Sequence, residues 1–193
     1  MHLYDIISAE NVGTTALNEI SQIYCLTTIG YHIFIFKVLD RKQWPWMSSF
    51  RGAGGQCSGA IIGDQFLITA AHCCEFNIIG RELITGTLSS FGDAEIPKEE
   101  SVFTIIDFQK HENFNSENNL SNDICILKVD REFQFTERVY PVCFSNAAPA
   151  VGTKAYLAGW GVTSENSDDL VETFREVMVP IADEEICKEK YQD

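Results

Sequence analysis

A chain of 193 residues with 45% hydrophobic content carries enough apolar side chain to fill one or two compact cores, which excludes a disordered polymer. Its formal net charge of −14 would repel the phosphate backbone of nucleic acid, so no nucleic-acid partner is expected. The longest apolar run, Ile29 to Leu39, is interrupted by His32 and Lys37 and is too short to cross a bilayer, so no membrane partner is expected.

In chain order, residues 1–40 show no coherent hydrophobic period. Met1 to Ile20 scatters Asp5, Glu10 and Glu19 among polar residues, where a secretion signal would have a basic start and an apolar middle. This segment is expected to be disordered, or to come from an alternative or mistaken reading of the gene. From residue 41 onward, short apolar runs alternate with turn residues. Gln56–Ile62 and Gln65–Thr69 read as strands split by a Gly63-Asp64 turn. Ser101–Phe108, Ile124–Val129, Lys154–Ala158 and Phe174–Ile181 are further strand candidates. Asp183 can cap a short helix running to Tyr191, with Glu184 and Glu185 in its first turn and Lys188 and Lys190 near its end, a charge order that suits the helix dipole. Many short strands punctuated by Gly, Pro and Asn predict an all-β barrel or sandwich with one short helix near the C-terminus.

The stretch Leu67-Ile-Thr-Ala-Ala-His72-Cys73 places an imidazole directly after a buried strand, beside a cysteine able to tether the turn. A general base must be held rigidly, since a misplacement of about 1 Å can cost on the order of a hundredfold in rate. Further on, Asn122-Asp123-Ile124-Cys125 sets a carboxylate at the head of an apolar strand. A carboxylate buried there needs a partner, and an imidazole N–H would satisfy it while fixing the tautomer. For an isolated His-Cys or Asp-Ile pair, a structural turn or cap is the commoner explanation.

These landmarks occur together and in order with others: Trp44-Pro45-Trp46, Cys57-Ser-Gly-Ala-Ile-Ile, Thr69-Ala-Ala-His72-Cys73, His111-Glu-Asn-Phe-Asn, Asn122-Asp123-Ile124, Pro141-Val-Cys143 and Gly159-Trp160-Gly161. From Trp44 to its end the chain resembles the trypsin/chymotrypsin family of serine proteases. The resemblance implies two antiparallel six-stranded barrels, the first over about residues 41–135 and a second, incomplete one over about 136–193. It makes His72 the general base and Asp123 its orienting acid, in the chain order His, Asp, Ser. The family's Gly-Asp-Ser-Gly-Gly segment should follow Ile186-Cys187. After Asp123, however, the serines are Ser145, Ser164 and Ser167, none beside a glycine, and residues 162–193 hold no glycine at all. An oxyanion hole needs that backbone freedom. The chain is therefore expected to be a fragment of a serine-type endopeptidase, lacking the nucleophile and substrate pocket and inactive as written. The alternative is a non-catalytic pseudoprotease or binding module built on the first barrel. Ile33 stands where the family's activated N-terminal isoleucine would fall, but no Arg or Lys precedes it for a tryptic cut.

Seven cysteines point to an oxidising, extracellular setting, and an odd number leaves at least one without an internal partner. The resemblance pairs Cys57 with Cys73. Cys74 and Cys125 are additions to the commonest family pattern; the implied fold brings their backbones close, and a bridge there would close a loop worth roughly 4 kcal/mol. Cys143 sits where some members tether a propeptide, with Cys25 as the upstream candidate, and Cys187 resembles half of a small-loop disulfide. Zinc at His72-Cys73-Cys74 lacks regular ligand spacing. An acidic loop with Glu95, Glu99 and Glu100 reads equally as a calcium loop or a solvated one. Asn119-Leu120-Ser121 is a glycosylation sequon. No cofactor or metal is expected; the expected partners are peptide or protein substrates and protease inhibitors.

Overall fold

The computed structural model describes residues 6–8, 35–37, 39–51, 55–75, 77–88, 101–115, 122–145, 147–161, 171–183 and 185–186. Its strands are β1 (Ile6–Ser8), β2 (Ile35–Lys37), β3 (Met47–Arg51), β4 (Gln56–Ile61), β5 (Phe66–Thr69), β6 (Glu82–Thr85), β7 (Val102–Lys110), β8 (Cys125–Val129), β9 (Lys154–Gly161) and β10 (Val171–Pro180). Six of them close an antiparallel barrel in the order β3-β4-β5-β8-β7-β6.

Alternation builds that barrel. Along β8, Cys125, Leu127 and Val129 are buried while Ile126 and Lys128 face outward. Leu67 of β5 pairs with Leu127, which also pairs with Phe108 of β7. Phe50, Ile61, Leu67, Leu83, Ile105, Leu127 and Val129 are fully buried and fill the interior. At about 1.5–3 kcal/mol for each large side chain removed from water, this cluster is a main source of barrel stability.

Two barrel strands lie outside the sequence expectations. β3 reads as polar because Ser48 and Ser49 occupy its middle, yet both are fully buried. The Ser48 hydroxyl donates to the Gly59 carbonyl at 2.8 Å, and Ser49 Oγ accepts from Gln56 Nε2 at 3.4 Å. β6 is four residues long and ends at Gly86, whose φ of 72° favours glycine. Some strand ends also differ. β7 runs on to Lys110, which pairs with Cys125, and β4 stops at Ile61.

The other sheet has four strands among the described residues, in the order β1-β9-β10-β2. β9 and β10 form its antiparallel centre, with Leu157 opposite Val177 and Ala155 opposite Val179, all four buried. β1 and β2 come from the segment expected to lack structure. They pair with the outer edges of β9 and β10, where unpaired backbone donors and acceptors are available. Trp44, Met47, Ala158, Trp160 and Phe174 cluster between this sheet and the barrel. Trp160 and Phe174 meet edge to face at 4.6 Å. Trp44 Nε1 donates to Glu176 Oε2 at 2.8 Å, and Trp160 Nε1 donates to the Leu88 carbonyl at 2.8 Å. The tryptophan motifs thus join the two sheets. Most of the expected helix after Asp183 lies outside the described residues; Asp183 Oδ1 accepts from the Glu185 N–H at 2.8 Å.

Candidate active site

β5 delivers the histidine. The Thr69 hydroxyl donates to the Ser58 carbonyl at 2.7 Å, locking the strand end against β4. Ala70 is extended at φ −75° and ψ 143°, and the chain then tightens into a 3-10 turn over Ala71–Cys74. Ala71 is fully buried, so a larger side chain would have no room at the turn's first position.

The carboxylate arrives from the other side. Asn122 takes a left-handed conformation, φ 59°, which asparagine tolerates better than most residues. Its side-chain amide donates to the Asn113 carbonyl at 3.0 Å. The Ile124 N–H donates to the Asn122 carbonyl at 2.8 Å, and the His111 N–H to the Ile124 carbonyl at 2.9 Å. This tight entry into β8 points Asp123 back at the histidine turn.

Both carboxylate oxygens engage His72. Oδ1 accepts the His72 backbone N–H at 2.8 Å, and Oδ2 lies 2.6 Å from the ring Nδ1. The side chains are 18% and 13% exposed, so water competes only weakly. An anionic acceptor at Nδ1 fixes the proton there and leaves Nε2 as the basic ring atom. Cys73 Sγ lies 3.3 Å from Nε2, but as a disulfide sulfur it has no proton to give.

Five of the cysteines lie among the described residues. Cys57 bonds to Cys73, and Cys74 bonds to Cys125. Cys143 is an exposed free thiol. Cys25, the tether suggested for it, lies outside the described residues, as do Cys187, Asn119, Ile33, Glu95, Glu99 and Glu100. Sγ of Cys57, Sγ of Cys73 and a His72 ring nitrogen lie within 4.8 Å of one another. Both sulfurs are spent in a disulfide, so this group offers no thiolate to zinc.

Two features of the site were not read from the sequence. One is the second Asp123 contact, to the histidine's own backbone N–H, which depends on turn geometry. The other is the left-handed Asn122; an Asn directly before the Asp was its sole hint.

A family model described as Trypsin matches residues 36–193. Proclotting enzyme of Tachypleus tridentatus is 30% identical over 165 residues, covering 77% of this chain and 43% of that protein. Trypsin delta of Drosophila melanogaster is 27% identical over 147 residues, covering 76% of this chain and 56% of that one. The chain therefore spans about half the length of these curated relatives. Among solved structures, one titled "Structure of GrC" matches with a TM-score of 0.69 at 24% identity, covering 81% of this chain and 69% of that one. Neuropsin, a serine protease expressed in the limbic system of mouse brain, matches with a TM-score of 0.69 at 22% identity, covering 81% and 68%. These two likenesses concern the fold. With the family model matching from within β2 through β3 to β10, the chain belongs to the trypsin family of serine proteases.

Proposed function

We propose that this chain carries the general-base half of a serine endopeptidase, with His72 as the base and Asp123 as its orienting carboxylate. The observation that carries the reading is the two-point grip of Asp123 on His72, through the backbone N–H and through Nδ1. In the reaction, His72 Nε2 takes the proton of a serine hydroxyl as that oxygen attacks the substrate carbonyl. Asp123 stabilises the imidazolium, which then hands its proton to the leaving amine. A water molecule repeats the cycle to release the acyl group. Nothing is asked of Asp123 except orientation and charge compensation, so it stays ionised throughout.

The serine and the oxyanion donors have no candidate in residues 124–193, where no serine neighbours a glycine. The 193-residue chain alone is accordingly proposed to be inactive, and its hydrolysis to need a glycine-rich serine segment. Substrates are peptides or proteins and inhibitors are those of serine proteases; the paired cysteines suit a secreted protein.

The deciding experiment reads the nucleotide sequence that follows the codon for Asp193 and treats the encoded protein with a fluorophosphonate probe. Labelling that His72→Ala abolishes supports the proposal. A folded, secreted product that never labels would refute it and favour a binding module built on the first barrel. Hydrolysis of a peptide ester by the 193-residue chain, lost on His72→Ala, would refute the inactivity.

A further inference from the structure

Adjacent cysteines on the histidine turn are bridged to two different strands. Cys73 reaches Cys57 on β4, and Cys74 reaches Cys125 at the head of β8. The second bridge runs alongside the His72–Asp123 pair, since Cys74 lies two residues after His72 and Cys125 two residues after Asp123. Its ends differ in how else they are held. Cys125 pairs with Thr69 of β5 on one side and with Lys110 of β7 on the other, where all three strands end. Cys74 sits on a turn whose backbone hydrogen bonds are long, 3.2 Å from Cys73 N–H to the Ala70 carbonyl and 3.3 Å from Glu75 N–H to the His72 carbonyl. Both sulfur-bearing residues are 1% exposed, so the bridge is sealed from water and thiols.

We propose that the Cys74–Cys125 disulfide is a positioning device for the His72–Asp123 pair, an inference that rests on the general-base reading above. A two-point carboxylate contact needs the turn and the strand entry at a fixed separation. If the turn drifts outward, Asp123 can follow either the backbone N–H or the ring Nδ1, but not both. Hydrogen bonds to the carboxylate change in strength as the ring gains and loses charge during a proton transfer. A covalent tie between the same two segments is indifferent to protonation state. With Cys73 anchored to β4, the turn is then fixed at two adjacent positions to two different strands. That arrangement removes rotation of the turn about a single tether.

The test uses the 193-residue chain with labelled histidine nitrogen, and reads the downfield Nδ1 proton of His72 by NMR, assigned by its loss in His72→Gln. Cys74→Ala with Cys125→Val removes the bridge while refilling its volume; Cys74→Ser with Cys125→Ser is the companion should the first not fold. Leu127→Ala serves as a control that destabilises β8 but keeps the bridge. In the bridge-free chains the Nδ1 proton is expected to exchange with water about tenfold faster or to broaden away, while the amide spectrum stays folded. The control is expected to keep the signal. An unchanged exchange rate without the bridge overturns the inference, and so does an equal loss in Leu127→Ala, which would make the effect one of stability alone. Absence of the resonance in the unmodified chain would instead overturn the base–carboxylate reading, and the inference with it.

Discussion

Among the described glycines, Gly59 is the one where an added Cβ would meet the nearest neighbour. On β4 it stands opposite Ser48 of β3, whose fully buried hydroxyl donates to the Gly59 carbonyl at 2.8 Å. A Cβ at position 59 would lie 2.9 Å from Ser48 Oγ and 3.2 Å from the Ile68 carbonyl oxygen. The hydroxyl can rotate away only by giving up its hydrogen bond inside the core. The Ile68 oxygen belongs to β5, next to the Ala60–Ile68 pairing, and moves only with that strand. Overpacking of this kind costs about 1–3 kcal/mol, and a lost buried hydrogen bond adds about 1 kcal/mol. Gly59→Ala is therefore expected to lower the unfolding free energy by roughly 2–4 kcal/mol, measured by urea denaturation at constant slope. A double-mutant cycle separates the two contacts. In a Ser48→Ala background the hydroxyl is gone, so the same glycine substitution should cost about 1 kcal/mol less, while the Ile68 contact keeps the cost above zero. A Gly59→Ala loss below about 0.5 kcal/mol would refute this steric account, as would strict additivity of the two substitutions.

Leu127→Ala, at a fully buried site on β8, should cost about 2–5 kcal/mol in the same assay, and a loss under about 1 kcal/mol would show the site collapses freely. In Asp123→Asn the amide oxygen must face the His72 backbone N–H, which always donates, so the NH2 group faces Nδ1 and the ring should move its proton to Nε2. Nitrogen-15 shifts of His72 would show that tautomer, and retention of the Nδ1 proton would contradict the two-point contact. Lys42 and Glu137 form an exposed ion pair that raises the lysine pKa and lowers the glutamate pKa, chiefly through their mutual hydrogen bond. The lysine contribution is present at low pH and lost as pH rises through its raised pKa; the glutamate contribution is present at high pH and lost as pH falls through its lowered one. Solvent screening keeps both small, so Glu137→Gln should leave Tm near neutral pH almost unchanged, and a marked drop would refute that. Deleting residues 1–38 removes β1 and β2 and bares both edges of the β9–β10 hairpin. Concentration-dependent association in analytical ultracentrifugation is expected, and a monodisperse monomer would refute it.

Strands with one clean buried face were legible in the sequence. β5 and β8 are short apolar runs bounded by turn residues, and burial alternates along β8 from Cys125 to Val129. β3 was not legible because burial there is satisfied by hydroxyls: Ser48 and Ser49 look like a turn until Gly59 and Gln56 are seen across the ladder. β6 was too short for any period to register, and its end depends on Gly86. β1 and β2 carry no signal of their own, since what places them is the unpaired edge each one meets. In the site, His72 and Asp123 were readable as residues because their flanking motifs are specific. The backbone half of their contact, from the His72 N–H to Asp123 Oδ1, was not, because it depends on a left-handed Asn122 and on the closure of a barrel whose pairings span much of the chain.

The same geometry explains how the two halves of this chemistry can be separated. His72 is held through its backbone N–H, through Nδ1 and through the neighbouring Cys73 and Cys74, and these contacts end on β4, on β8 or on the entry to β8. All of that scaffold lies in the closed barrel. The β9–β10 sheet meets the barrel elsewhere, through Trp44, Trp160 and Phe174. The orientation of the base is therefore a property of the barrel and does not require the serine it would serve. A substitution at the tryptophan seam, such as Phe174→Ala, should consequently cost about 3–5 kcal/mol of stability, the expectation for a fully buried phenylalanine. It should leave the His72 Nδ1 proton in place wherever the chain remains folded. Loss of that proton with the barrel intact would mean that the seam, and not the barrel wall, sets the position of the base.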